Sequence, residues 1–336
     1  MRLTDFEYAL PEELIAQEPL PERDKSRLLV ADRTTQAIEH RHFTDILSYL
    51  RDDDLLVMND TRVVAVRLYG RKSTGGVVEA LLMRRLEPGV WHAMVKPGRR
   101  VHVGAELEFD GGLRAAVIER TEDGGRILRF SADSDTDELI TEIGEVPLPP
   151  YIHKGIDDPE RYQTVYAAAD GSAAAPTAGL HFTEGLLGKI KDRGIRTVFV
   201  TLHVGVATFR PVRTENLEDH DMHSEAFEIS QECANEINSA KGRVICVGTT
   251  TVRALESAAV SKRTVVPTSA ETKLFIRPPY DFKIVDGIIT NFHIPKSTLL
   301  MLVSAFGGTD LIRRSYEEAV REKYRFLSFG DAMFLY

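Results

Sequence analysis

Two cysteines, one tryptophan and no long hydrophobic run are found in this chain of 336 residues, and each scarcity removes a class of protein. The longest strongly apolar stretch, Leu299 to Phe306, falls far short of the roughly 20 residues that cross a bilayer, so no spanning helix is expected. Cys233 and Cys246 supply neither a disulfide framework nor a paired thiolate site for a metal, and a reducing cytoplasm is the expected compartment. The amino terminus, MRLTDFEYALPEEL, is mixed and acidic and has no apolar signal core. Glycine is plentiful, yet it never falls into GxGxxG, the phosphate-cradling GxxxxGK[ST] or the nucleophile elbow GxSxG. Hydride transfer, nucleoside-triphosphate hydrolysis and serine hydrolysis therefore lose their usual support.

What is present suits a globular protein too large for one ordinary core. Hydrophobic residues make up 43% and charged residues 28%, and the length implies two domains or one domain with a large insertion. Net charge is −9, which alone argues against a nucleic-acid partner. The average hides a polarity along the chain. Between Thr61 and Val103 nine Lys or Arg stand against two acids, a local net of +7. Between Gly104 and Pro150 four arginines stand against twelve acids, a local net of −8. Such neighbours either cancel on a solvated surface or leave a basic face for a polyanion.

The texture of the chain changes twice. SRLLVADRTTQAIEHRHF reads as a hairpin of Leu28 to Ala31 with Ala37 to His42, followed by an amphipathic helix near Asp45 to Leu50 and the strand LLVMND. After it come short strand-like runs separated by STGG, EPG, KPGRR, DGG and EDGG, the spacing of a small antiparallel barrel. From Tyr151 a proline- and alanine-rich stretch, including GSAAAPTAGL, reads as a long functional loop. Thr183 then caps a helix that Gly194 ends, and strands alternate with helices to the carboxyl end. The expected fold is α/β: a mixed sheet flanked by helices in three layers, with an inserted antiparallel β-barrel. Residues 1–60 with 151–336 form the expected α/β catalytic domain, and residues 61–150 the barrel.

Three strands, VFVTLHVG, VICVGTTT and IITNFHIP, are apolar until their carboxyl ends and then turn polar. Ligands of open α/β sheets bind at such ends, where loops diverge and leave a crevice. Alternation puts Thr201 and His203 on one face, and Asn291 and His293 on one face. Such a histidine either bonds a backbone group in the core or serves a ligand. GTTTVRALES sets Gly248, Thr249, Thr250 and Thr251 at a strand-to-helix turn whose amides suit an anion, unless the threonines only cap the helix. Arg253 and Glu256, three apart, suit pairing on the helix surface. DHDMHSE offers His220, Asp221, His223 and Glu225, in an order that matches no strong zinc motif, and no metal is expected.

Six blocks carry a resemblance over essentially the whole chain: ELIAQEPLPERDKSRLLV, VMNDTRVVAVRL, APTAGLHFT, TLHVGVATFRPV, GTTTVRALES and TNFHIPKSTLLMLVSAFGG. In that order they make the chain resemble the S-adenosylmethionine:tRNA ribosyltransferase-isomerases of queuosine biosynthesis. The resemblance implies that S-adenosylmethionine, as co-substrate, gives its ribosyl group to 7-aminomethyl-7-deazaguanine at the tRNA wobble position. Adenine and methionine leave and an epoxycyclopentanediol forms, giving epoxyqueuosine-tRNA. It also implies a mixed α/β domain interrupted by a β-barrel, and no metal. A cytoplasmic monomer is expected.

That chemistry needs a base of modest pKa, because a sulfonium acidifies the ribosyl carbon beside it, and histidine supplies one. His181, His203 and His293 are the candidates. His181 is preferred as acid/base because its loop can close over substrate, and His203 stands second. The donor's amino-acid tail suits the Gly248 to Thr251 amides, with Thr177, Arg253 and Glu256 as further contacts, and Asn291 or His293 can assist departure of adenine. Arg62, Arg71, Lys72, Lys96, Arg99 and Arg100 become the expected phosphate contacts, with the accepting base turned out of its stack. Two other classes stay open on the residues alone: a non-catalytic RNA-binding module, and a conventional methyltransferase that yields S-adenosylhomocysteine.

Overall fold

The computed structural model describes residues 1–336 apart from 65, 133, 206–211 and 213. Two units separate: residues 1–62, 149–169 and 175–336 form one, and residues 63–148 with 170–174 the other.

The first unit is organised by a nine-stranded mixed sheet. Deep within it lies the strand Leu55–Asn59, whose five residues are all buried, as a strand covered on both faces requires. Arg196–Leu202 and Val244–Val247 run parallel on either side of it, and Gly287–Asn291 runs parallel beyond Val244–Val247. All four carboxyl ends therefore point the same way. Beyond them Ala332–Leu335 pairs antiparallel with Gly287–Asn291 and parallel with Arg27–Ala31, which forms the expected antiparallel hairpin with Ile38–His42. At the other edge Glu225–Ile229 and Thr268–Thr272 close the sheet in antiparallel sense.

One face of the sheet presents Leu56, Met58, Ile245, Val247, Ile289 and Phe334 to Phe43, Phe182, Leu186 and Ile190. The last two belong to the helix Glu184–Asp192. Its start and stop are those the residues announce: the Thr183 hydroxyl accepts the Leu186 N–H at 3.1 Å, and Gly194 turns out of the helix at φ +79°. Phe43 comes from a 3-10 helix, Phe43–Ser48, where an α-helix near Asp45 to Leu50 is the sequence expectation. Six residues are too few for α-helical hydrogen bonding to propagate, and the tighter turn still buries Phe43 and Ile46. The helix Thr249–Ala258 packs against Arg196–Leu202 and Glu225–Ile229 and is buried on almost every side.

The second unit is a closed antiparallel barrel of six strands. In order around it run Arg126–Ser131, Val90–Lys96, Val77–Glu87, Val66–Lys72, Glu106–Phe109 and Arg114–Arg120. Alternate residues such as Leu68, Val78, Ala80, Trp91, Leu107 and Leu128 fill its interior. Gly70 is required by close strand approach, since a Cβ there would sit 2.3 Å from the Glu108 carbonyl oxygen. A helix, Thr136–Ile143, starts on the Asp135 carboxylate and adds Leu139 and Ile140 to the same core.

Candidate active site

Four strand ends, not three, build the polar crest. Asn59 closes the strand Leu55–Asn59 and is fully buried, and its amide ties neighbouring segments together. Its Nδ2 donates to the Leu202 carbonyl at 2.9 Å and to Thr250 Oγ1 at 3.3 Å. Its Oδ1 accepts the N–H of Leu202 at 3.0 Å and of Thr61 at 3.2 Å. Next to it the Thr201 hydroxyl donates to Asp60 at 2.7 Å, and Thr61 Oγ1 lies 2.8 Å from His203 Nδ1. Burial raises the Asp60 carboxyl above the ordinary carboxylate range. Sequence reasoning passed over Asn59, Asp60 and Thr61, although LLVMND shows the same change from apolar to polar as the other three strands.

Above these ends opens a cleft of about 690 Å³, measured out to its open mouth. Thr177, Gly248, Thr249, Thr250, Asn291 and His293 give it polar wall, and Ala178, Val204, Phe292, Leu299 and Leu327 give it apolar wall. Gly248 adopts φ +90°, so the turn into the helix Thr249–Ala258 needs glycine to bring its amides to the cleft.

His181 lies behind this wall rather than in it. The segment expected to be a mobile loop is a 3-10 turn, Thr177–His181, whose last four residues are buried. The His181 ring stacks on Phe43 with centroids 4.9 Å apart, and both ring nitrogens are occupied. Ser26 Oγ lies 2.8 Å from Nδ1, and Asn291 Nδ2 lies 3.0 Å from Nε2. An amide nitrogen only donates, so Nε2 accepts and the proton resides on Nδ1, facing Ser26. Thr177 completes the chain by donating to Asn291 Oδ1 at 3.1 Å. Burial, with the field of Arg325 acting in the same direction, pushes the His181 pKa down to about 3. The turn is closely packed: a Cβ on Gly179 would meet Tyr166 Oη at 2.0 Å.

Residues 3–335 match the sequence family described as queuosine biosynthesis protein. The chain belongs to that family. A relative from Halothermothrix orenii is 54% identical over 340 residues, covering all of both chains, and one from Clostridioides difficile is 52% identical over the same extent. Both are named S-adenosylmethionine:tRNA ribosyltransferase-isomerase. The crystal structure of a Thermotoga maritima S-adenosylmethionine tRNA ribosyltransferase is similar, with a TM-score of 0.56 and 41% identity. That likeness covers 99% of this chain and 100% of the other.

Of the blocks that mark the family here, VMNDTRV, APTAGLHFT, GTTTVRALES and TNFHIP meet around the cleft. Part of TLHVGVATFRPV, residues 206–211, lies outside the described residues. The three histidines go to three places. His293 lines the cleft, but Thr290 Oγ1 holds its Nε2 at 3.0 Å, and Tyr316 and Tyr8 hold its backbone N–H and carbonyl at 3.0 and 2.5 Å. Burial pushes its pKa down to about 3. His203 is partly exposed and faces a neighbouring hollow lined by Thr201, Glu228 and Glu271.

Three residues named for the donor's tail stand away from the cleft lining. Thr251 is buried and donates to the Val247 carbonyl at 2.7 Å. The expected surface pair of Arg253 with Glu256 does not form, because the helix has no free face there. Arg253 pairs instead with buried Glu225 and reaches the Leu274 and Thr272 carbonyls. Glu256 accepts the N–H groups of Lys283, Ile284 and Val285. Among the described residues no cluster of three or more His, Cys, Asp or Glu is placed to hold a metal ion.

The basic residues divide between the units. Arg62, in the α/β unit, is paired with Glu160. In the barrel, Lys72 Nζ donates to the Arg100 carbonyl at 3.4 Å, bringing the end of one strand to the turn Gly98–Arg100. Arg71, Lys96, Arg99 and Arg100 are exposed there. None of these five has a carboxylate within 4.0 Å among the described residues.

Proposed function

We infer that this chain is an S-adenosylmethionine:tRNA ribosyltransferase-isomerase that modifies 7-aminomethyl-7-deazaguanine at the wobble position and releases adenine and methionine. The observation that carries the reading is full-length identity of 50% and more to relatives of that name. A cleft at the strand ends lined by both polar and apolar residues supports it. A monomer that meets its tRNA in the cytoplasm completes the reading.

Residue roles follow from where each group stands and what it touches. The donor's carboxylate suits the amides of Gly248 to Thr250 at the positive end of a helix. Asn291 lines the cleft and presents its remaining amide hydrogen and lone pair to adenine. His181 holds that amide in one orientation and moves no proton itself, because its basicity is suppressed and both nitrogens are engaged. With His181 and His293 both poorly basic, His203, beside Asp60 and facing the hollow next to the cleft rather than the cleft lining itself, is the histidine we assign to proton transfer from the ribosyl carbon.

Incubation with S-adenosylmethionine and tRNA bearing the aminomethyl base tests the function: free adenine and methionine are expected, and S-adenosylhomocysteine would point to methyl transfer instead. The same assay separates the histidines. His181→Ala is expected to lower kcat by about 10- to 100-fold, since a misplaced binding group costs on that order. His181→Gln, which restores an acceptor for Asn291, recovers most of it. His203→Gln recovers nothing relative to His203→Ala. Equal losses for His181→Ala and His181→Gln would return His181 to acid/base duty. Reversing charge at Arg99 and Arg100 is expected to weaken tRNA binding and flatten its dependence on salt, with donor affinity unchanged. Filter binding across a salt series measures both.

A further inference from the structure

A second pocket, of about 310 Å³, lies beside the main cleft. Arg23 and Arg161 line it together with Ser26 and His181, and Ser328 lines both this pocket and the cleft. The His181–Asn291 hydrogen bond joins their walls. Each guanidinium is braced by backbone carbonyls alone. Arg23 donates to Gln163 at 2.6 Å and Glu160 at 2.8 Å, while Arg161 donates to Pro21 at 3.0 Å and to Leu20.

No carboxylate neutralises either arginine within 4.0 Å among the described residues. The nearby acids are committed elsewhere. Glu160 pairs with Arg62, Asp24 accepts from Thr183, and Asp158 caps the turn Pro159–Tyr162. Burial and the charge of Arg161 push the Arg23 pKa down, against the more distant charges of Asp158 and Glu160, which hold it up. Two half-buried cations held close, with fork-shaped donors left over, are an arrangement that an anion completes.

We propose that this pocket binds a backbone phosphate of the tRNA next to the nucleotide being modified. The assignment rests on the tRNA reading above and adds to it a contact in the α/β unit, independent of the basic barrel segment. A base everted into the cleft carries its phosphate beyond its own ribose, and the Arg23 pocket is the cationic surface that shares a wall with that cleft. The donor's carboxylate is the other anion in the system, and the experiment tells the two apart.

Arg23→Gln and Arg161→Gln are each expected to weaken binding of the anticodon stem-loop by about tenfold at low salt. Each should also reduce the slope of log affinity against log salt by about 0.7 to 0.9. Affinity for S-adenosylmethionine stays that of the unaltered chain. Arg23→Lys and Arg161→Lys guard against local misfolding, because they keep the charge. They are expected to keep the salt slope but to bind more weakly, for lack of the two-pronged grip. Unchanged stem-loop affinity and slope in the glutamine variants overturns the proposal. So does a loss confined to S-adenosylmethionine, which would give the pocket to the donor's carboxylate. Failure of the functional reading shows separately, as absence of adenine release by the unaltered chain while stem-loop binding is still measured.

Discussion

Lowering the pH from 7 to 4.5 is expected to unfold the α/β unit well before the barrel. His181 and His293 are buried neutral, with pKa values of about 3 in the folded chain. An unfolded histidine titrates near about 6.5. At pH 7 neither state carries the proton and nothing is lost. Below about 6.5 the unfolded chain takes up protons that the folded chain refuses, so stability falls with pH until about 3, where both states are protonated. By pH 4.5 each ring costs roughly 2 to 3 kcal/mol, and the two together are comparable with the usual stability of a domain, about 5 to 15 kcal/mol. Asp60 and Asp331, whose carboxyls burial pushes upward, oppose this and blunt it.

The two units can be followed apart. Trp91, the only tryptophan, belongs to the barrel core, so its emission reports that unit while far-UV circular dichroism is dominated by helices of the other. Helical signal is expected to disappear first as acid is added. His293→Gln removes one of the two contributions and moves the transition to lower pH. A helical signal that persists to pH 4.5 in the unaltered chain would contradict the burial of both rings.

Glu225→Ala is the substitution expected to cost the most stability, about 3 to 5 kcal/mol at pH 7, because it leaves a charge uncompensated in the interior. The Arg253 and Glu225 side chains are 4% and 1% exposed, so no water replaces the lost partner. Burial already pulls the Arg253 pKa down, and Glu225 is the partner that opposes that pull. Replacing both ends, as Glu225→Ala with Arg253→Met, is expected to recover a large part of the loss, since an apolar side chain of similar length needs no counter-charge. Urea unfolding followed by circular dichroism measures both variants. A single-variant loss below 1 kcal/mol would mean that the pair is hydrated.

Local rules made part of this molecule legible. Thr183 and Gly194 bound a helix in sequence and in space, and the alternating strands of the barrel announced a closed antiparallel unit. The polar ends of VICVGTTT and IITNFHIP led to Gly248, Thr250 and Asn291, which do line one cleft. What escaped depends on partners far away in the chain. Nothing near Arg253 indicates that its counter-charge is Glu225 rather than Glu256, because the pairing is decided by which strand the helix buries. Nothing near His181 shows Ser26 and Asn291 waiting on either side of the ring. A glycine- and alanine-rich run reads as loose until Tyr166 is seen against Gly179, where smallness serves tight packing.

The interior strand Leu55–Asn59 precedes the barrel residues, yet both of its ladder partners follow them. Barrel strands meet mostly neighbours close in sequence, whereas the large sheet joins segments that leave the ribosome at widely separated times. Rates of folding fall as contacts become more distant along the chain. Synthesis therefore delivers a β unit able to collapse early, while Leu55–Asn59 must stay unpaired, and open to aggregation, until Arg196–Leu202 and Val244–Val247 emerge to flank it.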